Sequence, residues 1–486
     1  MVNLAMIQFF EWFVPADGRH WSRLKESSPE LASMGIKGVW IPPPTKGCSA
    51  QDVGYGTYDL WDLGEFNQKG IIGTKYGIKA ELTEAIDEAK KHGLDIYSDI
   101  VLNHKACADE TEVFLATEVN RSNRNQDISG PYNIAGWTKF TYPGRGKKYS
   151  QFKWNFNHFT GVDWNEELHK SSIYRIMGNG KYWSDQVDKE YGNYDYLMFS
   201  DVDYNHPEVI EETKKWAVWL AKELKLTGFR LDAAKHIHEH FIAELMSHVR
   251  QELGNDNFYS IGEYWKDSID PIEHFLQNIN FSIDLFDVPL HYNFQEASIR
   301  GKEFDMRTVF DGTIVQKYPD ISVTFVDNHD SQPGQSLESW VQDWFKPIAY
   351  ALILLRQAGY PCIFYGDLYG ISGDRPIPPK FDIIHKLALA RKEYSYGEQR
   401  DYFDHGNTVG WVRMGENGTN PDAKACAVVI CNSEGGNKIM HVGKHRIGQK
   451  WRDYLGHVQD TVIIDENGRG NFRANGGSVS VWVPYK

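Results

Sequence analysis

Short apolar strands recur along this chain, each ending in polar residues and most followed by a helix-length stretch. That alternation constrains the fold more than any other feature. Strand–helix–strand units join parallel strands through right-handed crossovers. Residues 4–10 read as the first strand, then 35–41, which three prolines stop, then 93–104, the stretch 228–236 that opens at strand period and ends in charge, 258–265, 321–330 and 361–367. Residues 80–92 carry Leu82, Ala85, Ile86 and Ala89 at helical spacing. Residues 211–224, 240–253 and 345–358 also read as helices. The count suits eight βα units closed into a barrel. No Gly-x-Gly-x-x-Gly follows the first strand, which disfavours an open dinucleotide-binding sheet.

Two changes of character divide the chain. Residues 104–206 are rich in Gly, Asn, Asp and aromatics and show little periodicity. Structureless loops of that length are rare in compact proteins, so an inserted, irregular β-rich domain is expected there. After residue 394, short strands between Gly and Asn turns (408–413, 425–430 and 478–483) predict a separate antiparallel β-sandwich over 395–486. Residues 1–103 and 207–394 remain for the barrel. A chain of 486 residues exceeds what one core usually holds.

Composition narrows the partners. A net charge of −14 disfavours nucleic acid and anionic membranes. No apolar run is long enough to span a bilayer. The 16 Trp and 26 Tyr suit stacking on flat ligands such as sugar rings. Five cysteines, an odd number, are scattered as Cys48, Cys107, Cys362, Cys426 and Cys431. Cys426 and Cys431 would lie on opposite faces of a straight strand, so reduced thiols are expected. Reduced thiols and a start with no visible leader favour the cytoplasm; a secreted protein after leader removal is the alternative. A monomer is expected.

The strand tips carry the chemistry. Catalytic residues of such barrels sit at the carboxyl ends of the strands. There lie Asp99, Asn103 and His104, then Arg230, Asp232 and His236, then Glu263, then His329 and Asp330. Arg230 and Asp232 are two apart and share a strand face. The arginine is expected to hold Asp232 ionised with a low pKa, which suits a nucleophile. Glu263, flanked by Tyr264 and Trp265 and facing other carboxylates, suits an acid with a raised pKa. Any single tip could be a buried ion pair or a cap. Converging, they form the pair that glycoside hydrolysis needs, about 5 Å apart when configuration is retained. Trp12 and Tyr58 read as core aromatics.

Four blocks then carry a resemblance: Asp99-Ile100-Val101-Leu102-Asn103-His104, Gly228-Phe229-Arg230-Leu231-Asp232-Ala233-Ala234-Lys235-His236, Gly262-Glu263-Tyr264-Trp265, and Phe325-Val326-Asp327-Asn328-His329-Asp330. In order and in strand context they resemble the four blocks of the α-amylase family of glycoside hydrolases. Phe9-Phe10-Glu11-Trp12, Val53-Gly54-Tyr55-Gly56 and Gly192-Asn193-Tyr194-Asp195-Tyr196-Leu197-Met198 extend the likeness to liquefying bacterial members and their intracellular relatives. The resemblance implies a (β/α)8 barrel and endo-acting, retaining hydrolysis of internal α-1,4-glucosidic bonds in starch, glycogen and maltooligosaccharides. A glucanotransferase or maltogenic enzyme is the alternative. A catalytically dead carbohydrate-binding protein would lack carboxylates that are all present here.

The resemblance also assigns roles. Asp232 becomes nucleophile, Glu263 acid/base and Asp330 the third carboxylate. His104, Arg230 and His329 would line the subsite of the distorted ring, with Tyr55 stacked on it. Lys235, His236 and Trp265 would hold the leaving-group side. A structural Ca²⁺ would be held by Asn103, Asp195, Asp201 and the carbonyl of His236. Liquefying relatives carry further cations beside it. Here Asp203 keeps its carboxylate, but Thr160, Ser184 and Asn205 stand where acids are expected. Gly406, Asn407 and Cys431 likewise weaken a site between barrel and sandwich. One Ca²⁺ is therefore expected, without the additional sites.

Overall fold

The computed structural model describes residues 3–416 and 420–485. The first two residues lie outside it, so the leaderless start is not addressed. Eight parallel strands close into a barrel: β1 (Ala5–Gln8), β2 (Ile36–Ile41), β3 (Asp95–Ile100), β4 (Gly228–Leu231), β5 (Tyr259–Gly262), β6 (Asp284–Phe286), β7 (Ser322–Phe325) and β8 (Tyr360–Phe364). Each pairs with its sequence neighbours, and β8 pairs with β1. Among the described residues, eight helices of nine or more residues pack outside, including Lys79–Lys91, Pro207–Glu223 and Glu239–Leu253. Leu82, Ala85, Ile86 and Ala89 form the buried face of the first of these, as their spacing predicts.

Side chains alternate across each strand. Met6, Trp40, Tyr97, Ile261, Val323, Phe325 and Cys362 form one cluster and fill the barrel. Phe229 and Leu231 belong to a different cluster, shared with the helices. Sequence reading missed β6, whose three residues are too few for an alternation to register.

Within 104–206, seven antiparallel strands form one sheet, from His104–Lys105 to Ser200–Val202. Those two strands pair with each other, Asp201 opposite His104. Both ends of the insertion are thereby tied at the barrel's mouth. The C-terminal region carries a six-stranded sheet, Cys426–Cys431 and Ser478–Tyr485 at its centre, and a two-stranded one, Gly435–His441 with Arg469–Asn475. Among the described residues no helix is long and apolar enough to cross a membrane.

The cysteine expectation is corrected. Cys48 and Cys107 form a disulfide, their Cα atoms 5.7 Å apart. They follow β2 and β3, neighbours in the barrel, so two loops distant in sequence meet at its mouth. Cys362, Cys426 and Cys431 are free and buried. Cys426 and Cys431 face two different clusters, as opposite faces of a strand require. The odd count thus hides one pair, and it no longer supports a cytoplasmic setting.

Candidate active site

The site grows out of β4. Its register places Arg230 beside Asp99 of β3 and Ile261 of β5. Arg230 is fully buried and donates to Asp99 Oδ1 at 3.0 Å and to Asp232 Oδ1 at 2.7 Å. Its other terminal nitrogen lies 2.9 Å from Glu263 Oε2. One guanidinium therefore gathers three carboxylates from three strand tips. Asp99 is fixed further by the Trp40 indole at 3.1 Å and the Tyr55 hydroxyl at 2.8 Å.

Burial outweighs the arginine at Asp232. It pushes this carboxyl well above the usual carboxylate range; Arg230 opposes, and Glu263 and Asp99 add to the rise. The low pKa expected from the Arg–Asp pair is thus corrected: one guanidinium faces several carboxylates in a dry pocket. Asp330 is pushed up to about 8, by burial first and then by Glu263.

A cleft of about 410 Å³ opens above these groups. Asp232, Glu263, Asp330, Tyr55, His104, Lys235, His236 and Trp265 all line it. Arg230 and His329 are fully buried and lie beneath its floor. Gln8 donates its amide to His329 Nδ1 at 3.0 Å, which leaves the ring proton on Nε2, 3.3 Å from Asp330 Oδ2. Burial and Arg230 hold His329 well below the usual imidazole range, so it stays neutral.

The loop bearing Tyr55 is braced by Asp52, which accepts from the amides of Cys48, Gly54 and Gly56. A Cβ on Gly56 would meet Asp52 Oδ2 at 2.3 Å, and one on Gly54 would meet Pro43 at 2.6 Å. That is why glycines flank the tyrosine. The rings of Tyr55, His329 and Trp12 lie nearly parallel, with Tyr55 5.1 Å from His329. Trp12 is half-buried and lines the cleft, which corrects its reading as core; Tyr58 is buried, its hydroxyl on Asp109. Across the cleft, Lys235 donates to Glu190 at 3.0 Å and to the Trp265 carbonyl at 3.1 Å. His236 Nδ1 donates to the Tyr194 carbonyl at 2.7 Å. Burial, with Lys235 beside it, lowers His236 to about 3.

Sequence reading missed Ala233. Its φ of +49° turns the chain so that its N–H meets Glu263 Oε2 at 3.1 Å. A left-handed alanine costs about 1–2 kcal/mol, strain of a kind that gathers at functional sites. A second hollow, of about 380 Å³, holds Trp137, Trp164 and Phe199. It adjoins the cleft where the Phe199 ring packs 5.5 Å from His104.

Asn103, Asp195, Asp201 and His236 also converge. The Asn103 amide nitrogen lies 3.2–3.4 Å from the Asp195 carbonyl, Asp201 Oδ1 and the His236 carbonyl. The same amide's oxygen faces His104 Nδ1 at 3.2 Å. His104 donates through Nε2 to the Tyr55 carbonyl and, held at about 4 by burial, is neutral, so Nδ1 is a bare lone pair. Two acceptors would then face each other. Turning the amide by 180° brings its nitrogen to His104 and its oxygen to the other three oxygens. A hard cation with oxygen ligands fits that pocket, and buried Asp195 and Asp201 supply the charge. Thr160 donates its hydroxyl to Asp201, and the Ser184 amide donates to Asp195 at 2.9 Å.

Two other places are filled by protein donors. His158, His206 and Glu208 cluster, but the Asn155 amide donates to His158 Nδ1, leaving the proton on Nε2 toward Glu208. Between barrel and C-terminal sheet, the Asn407 amide donates to the Lys302 carbonyl at 2.7 Å, and that of Asn432 to the carbonyls of Gly301 and Phe304 at 2.9 Å. Gly406 offers only its carbonyl, to Met306, and Cys431 packs against Thr408.

The family profile described as "Alpha amylase, catalytic domain" matches residues 26–425, and "Alpha-amylase C-terminal" matches 427–483. The chain is 50% identical over 482 residues to the glucan 1,4-alpha-maltohexaosidase of Bacillus sp. (strain 707), covering 99% of this chain and 92% of that one. It is 49% identical to the alpha-amylase of Bacillus licheniformis, covering 99% and 94%. Among solved structures, the alpha-amylase of Geobacillus thermoleovorans complexed with acarbose superposes with a TM-score of 0.67 at 17% identity, covering 100% and 98%; that likeness speaks for the fold.

Proposed function

The chain belongs to the α-amylase family of glycoside hydrolases, and we propose that it cleaves internal α-1,4-glucosidic bonds of starch-type glucans with retention of configuration. The supporting observation is the gathering of Asp232 and Glu263 on two nitrogens of Arg230 at the floor of an open cleft. Such sharing suits the spacing of about 5 Å of a retaining pair rather than the wider gap that admits a water. In this reading Asp232, once ionised against Arg230, attacks the anomeric carbon and forms a glycosyl ester, while Glu263 gives its proton to the departing oxygen. Glu263, now a base, takes a proton from water, which breaks the ester. Asp330 and His104 hold the ring, Tyr55 stacks on it, and Lys235, His236 and Trp265 receive the leaving glucan. Arg230 and His329 act from beneath, orienting Asp232 and Asp330. The aromatic hollow of Trp137, Trp164 and Phe199 gives a long glucan a continuation of the cleft, which favours endo-action.

The domain division that goes with this reading is 1–103 and 207–394 for the barrel, 104–206 for the insertion and 395–486 for the C-terminal domain. One Ca²⁺ would be held by Asn103, Asp195, Asp201 and the His236 carbonyl, where it would clamp the insertion to the barrel. An α-glucan is the partner, and the chain acts as a monomer.

Asp232→Asn and Glu263→Gln should each lower kcat on starch by several powers of ten, each removing a transition-state role. Near-normal hydrolysis by either variant would overturn the assignment. Product analysis on maltooligosaccharides tests the alternative: chains longer than the substrate would mean glucanotransfer.

A further inference from the structure

Asp203 follows Asp201 by two residues, just past the strand Ser200–Val202 that closes the insertion. Asp201 turns to Asn103 and Thr160. Asp203 turns to a lysine. The ammonium of Lys181 lies 2.5 Å from Asp203 Oδ2 and also bonds the Asn157 carbonyl. Both side chains are at most 10% exposed. The second oxygen of Asp203 takes the Asn205 amide at 3.0 Å.

A carboxylate and a main-chain carbonyl are the donors a hard cation uses. Here a nitrogen of the same charge type sits between them. Charge supports the same reading. Asp195, Asp201 and Asp203 are buried and bring three negative charges. One dication at the Asn103 pocket and one ammonium at Asp203 bring three positive charges. Arg124, a further cation nearby, is turned to the Tyr196 carbonyl and the Tyr194 ring. Burying charges without partners costs several kcal/mol each, so the balance matters.

We propose that Lys181 is a built-in cation. Its ammonium occupies the place beside the Asn103 pocket that a second metal ion would otherwise take, neutralises Asp203, and holds the junction at one metal per chain. The proposal builds on the calcium reading above, and the test separates the two. A tethered ammonium cannot be removed by chelation or dilution, so this part of the junction is independent of free calcium.

The full chain, its Lys181→Met variant and the Lys181→Met/Asp203→Asn double variant are purified in calcium and dialysed. Metal is counted by mass spectrometry, and binding is followed with Ca²⁺ and with luminescent Tb³⁺. The wild type should hold one ion. Lys181→Met should gain a second, weaker site, and its Tm should climb with calcium into a millimolar range where the wild-type Tm is flat. The double variant should return to one ion, because the carboxylate that recruits the second is gone. Equal counts and equal calcium dependence in wild type and Lys181→Met would overturn the proposal, as would two ions in the wild type. A Lys181→Met chain that fails to fold even in millimolar calcium would also overturn it, since metal should replace the ammonium. A wild type holding none would overturn the calcium reading alone; the lysine claim would still be read from the difference between variant and wild type.

Discussion

The disulfide between Cys48 and Cys107 gives a prediction with a calculable size. The two residues are 59 apart in sequence. Removing a cross-link that closes a loop of that length returns conformational freedom to the unfolded chain worth about 4 kcal/mol by the chain-entropy relation. Cys48 heads the loop that Asp52 braces and that presents Tyr55. Cys107 follows the strand that carries His104, whose Nε2 bonds the Tyr55 carbonyl at 2.8 Å. The bond therefore ties a sugar-stacking ring to the insertion. The Cys48→Ser/Cys107→Ser variant should lose about 2–4 kcal/mol against denaturant. If the 486 residues unfold in one transition, at roughly 2.1 cal/mol/K each, the Tm falls by about 2–4 °C. KM for a maltooligosaccharide should rise several-fold while kcat changes less, because the loop binds rather than reacts. The check begins with a thiol count: denatured, unreduced protein should show three free thiols. A count of five would refute the pairing. An unchanged denaturation midpoint in the variant would refute the energetic reasoning.

His20 is fully buried against the Phe9 carbonyl, and burial lowers it to about 4. Its folded value lies below the unfolded one, so the unfolded chain takes up the proton first; the stability it contributes is whole above about pH 6.5 and is lost as pH falls toward 4, by up to about 3 kcal/mol. His20→Gln should flatten the slope of stability against pH by about one proton in that window, and an unaltered slope would count against it. Trp12→Ala removes a cleft aromatic worth about 0.5–1.5 kcal/mol, so KM should rise about two- to tenfold with Tm little changed; an unchanged KM would return Trp12 to a packing role. Chelation should lower both Tm and activity, and Ca²⁺ should restore both, since the metal binds the folded state preferentially; a chelator-indifferent protein would remove the calcium site.

The sequence by itself determined whatever depends on near neighbours along the chain. Strand alternation set the barrel, and the β4 stretch placed Arg230 and Asp232 on one face because side chains on a strand repeat every two residues. Polar residues closing each apolar run marked the tips that meet in the cleft. What only the tertiary structure decided depends on segments distant in sequence. Cys48 found Cys107 because β2 and β3 are barrel neighbours, which no spacing rule encodes. Trp12 became a cleft residue because its ring lies alongside those of Tyr55 and His329, brought by the loops that follow β2 and β7. The pKa of Asp232 was misjudged from its arginine because desolvation sums over every segment packed around a group. Ala233 gave no sign of its left-handed turn, since only the position of Glu263 on the next strand makes its N–H useful. Lys181 was one lysine among many until the fold set its ammonium on Asp203, 22 residues away, at a depth where a charge must have a partner.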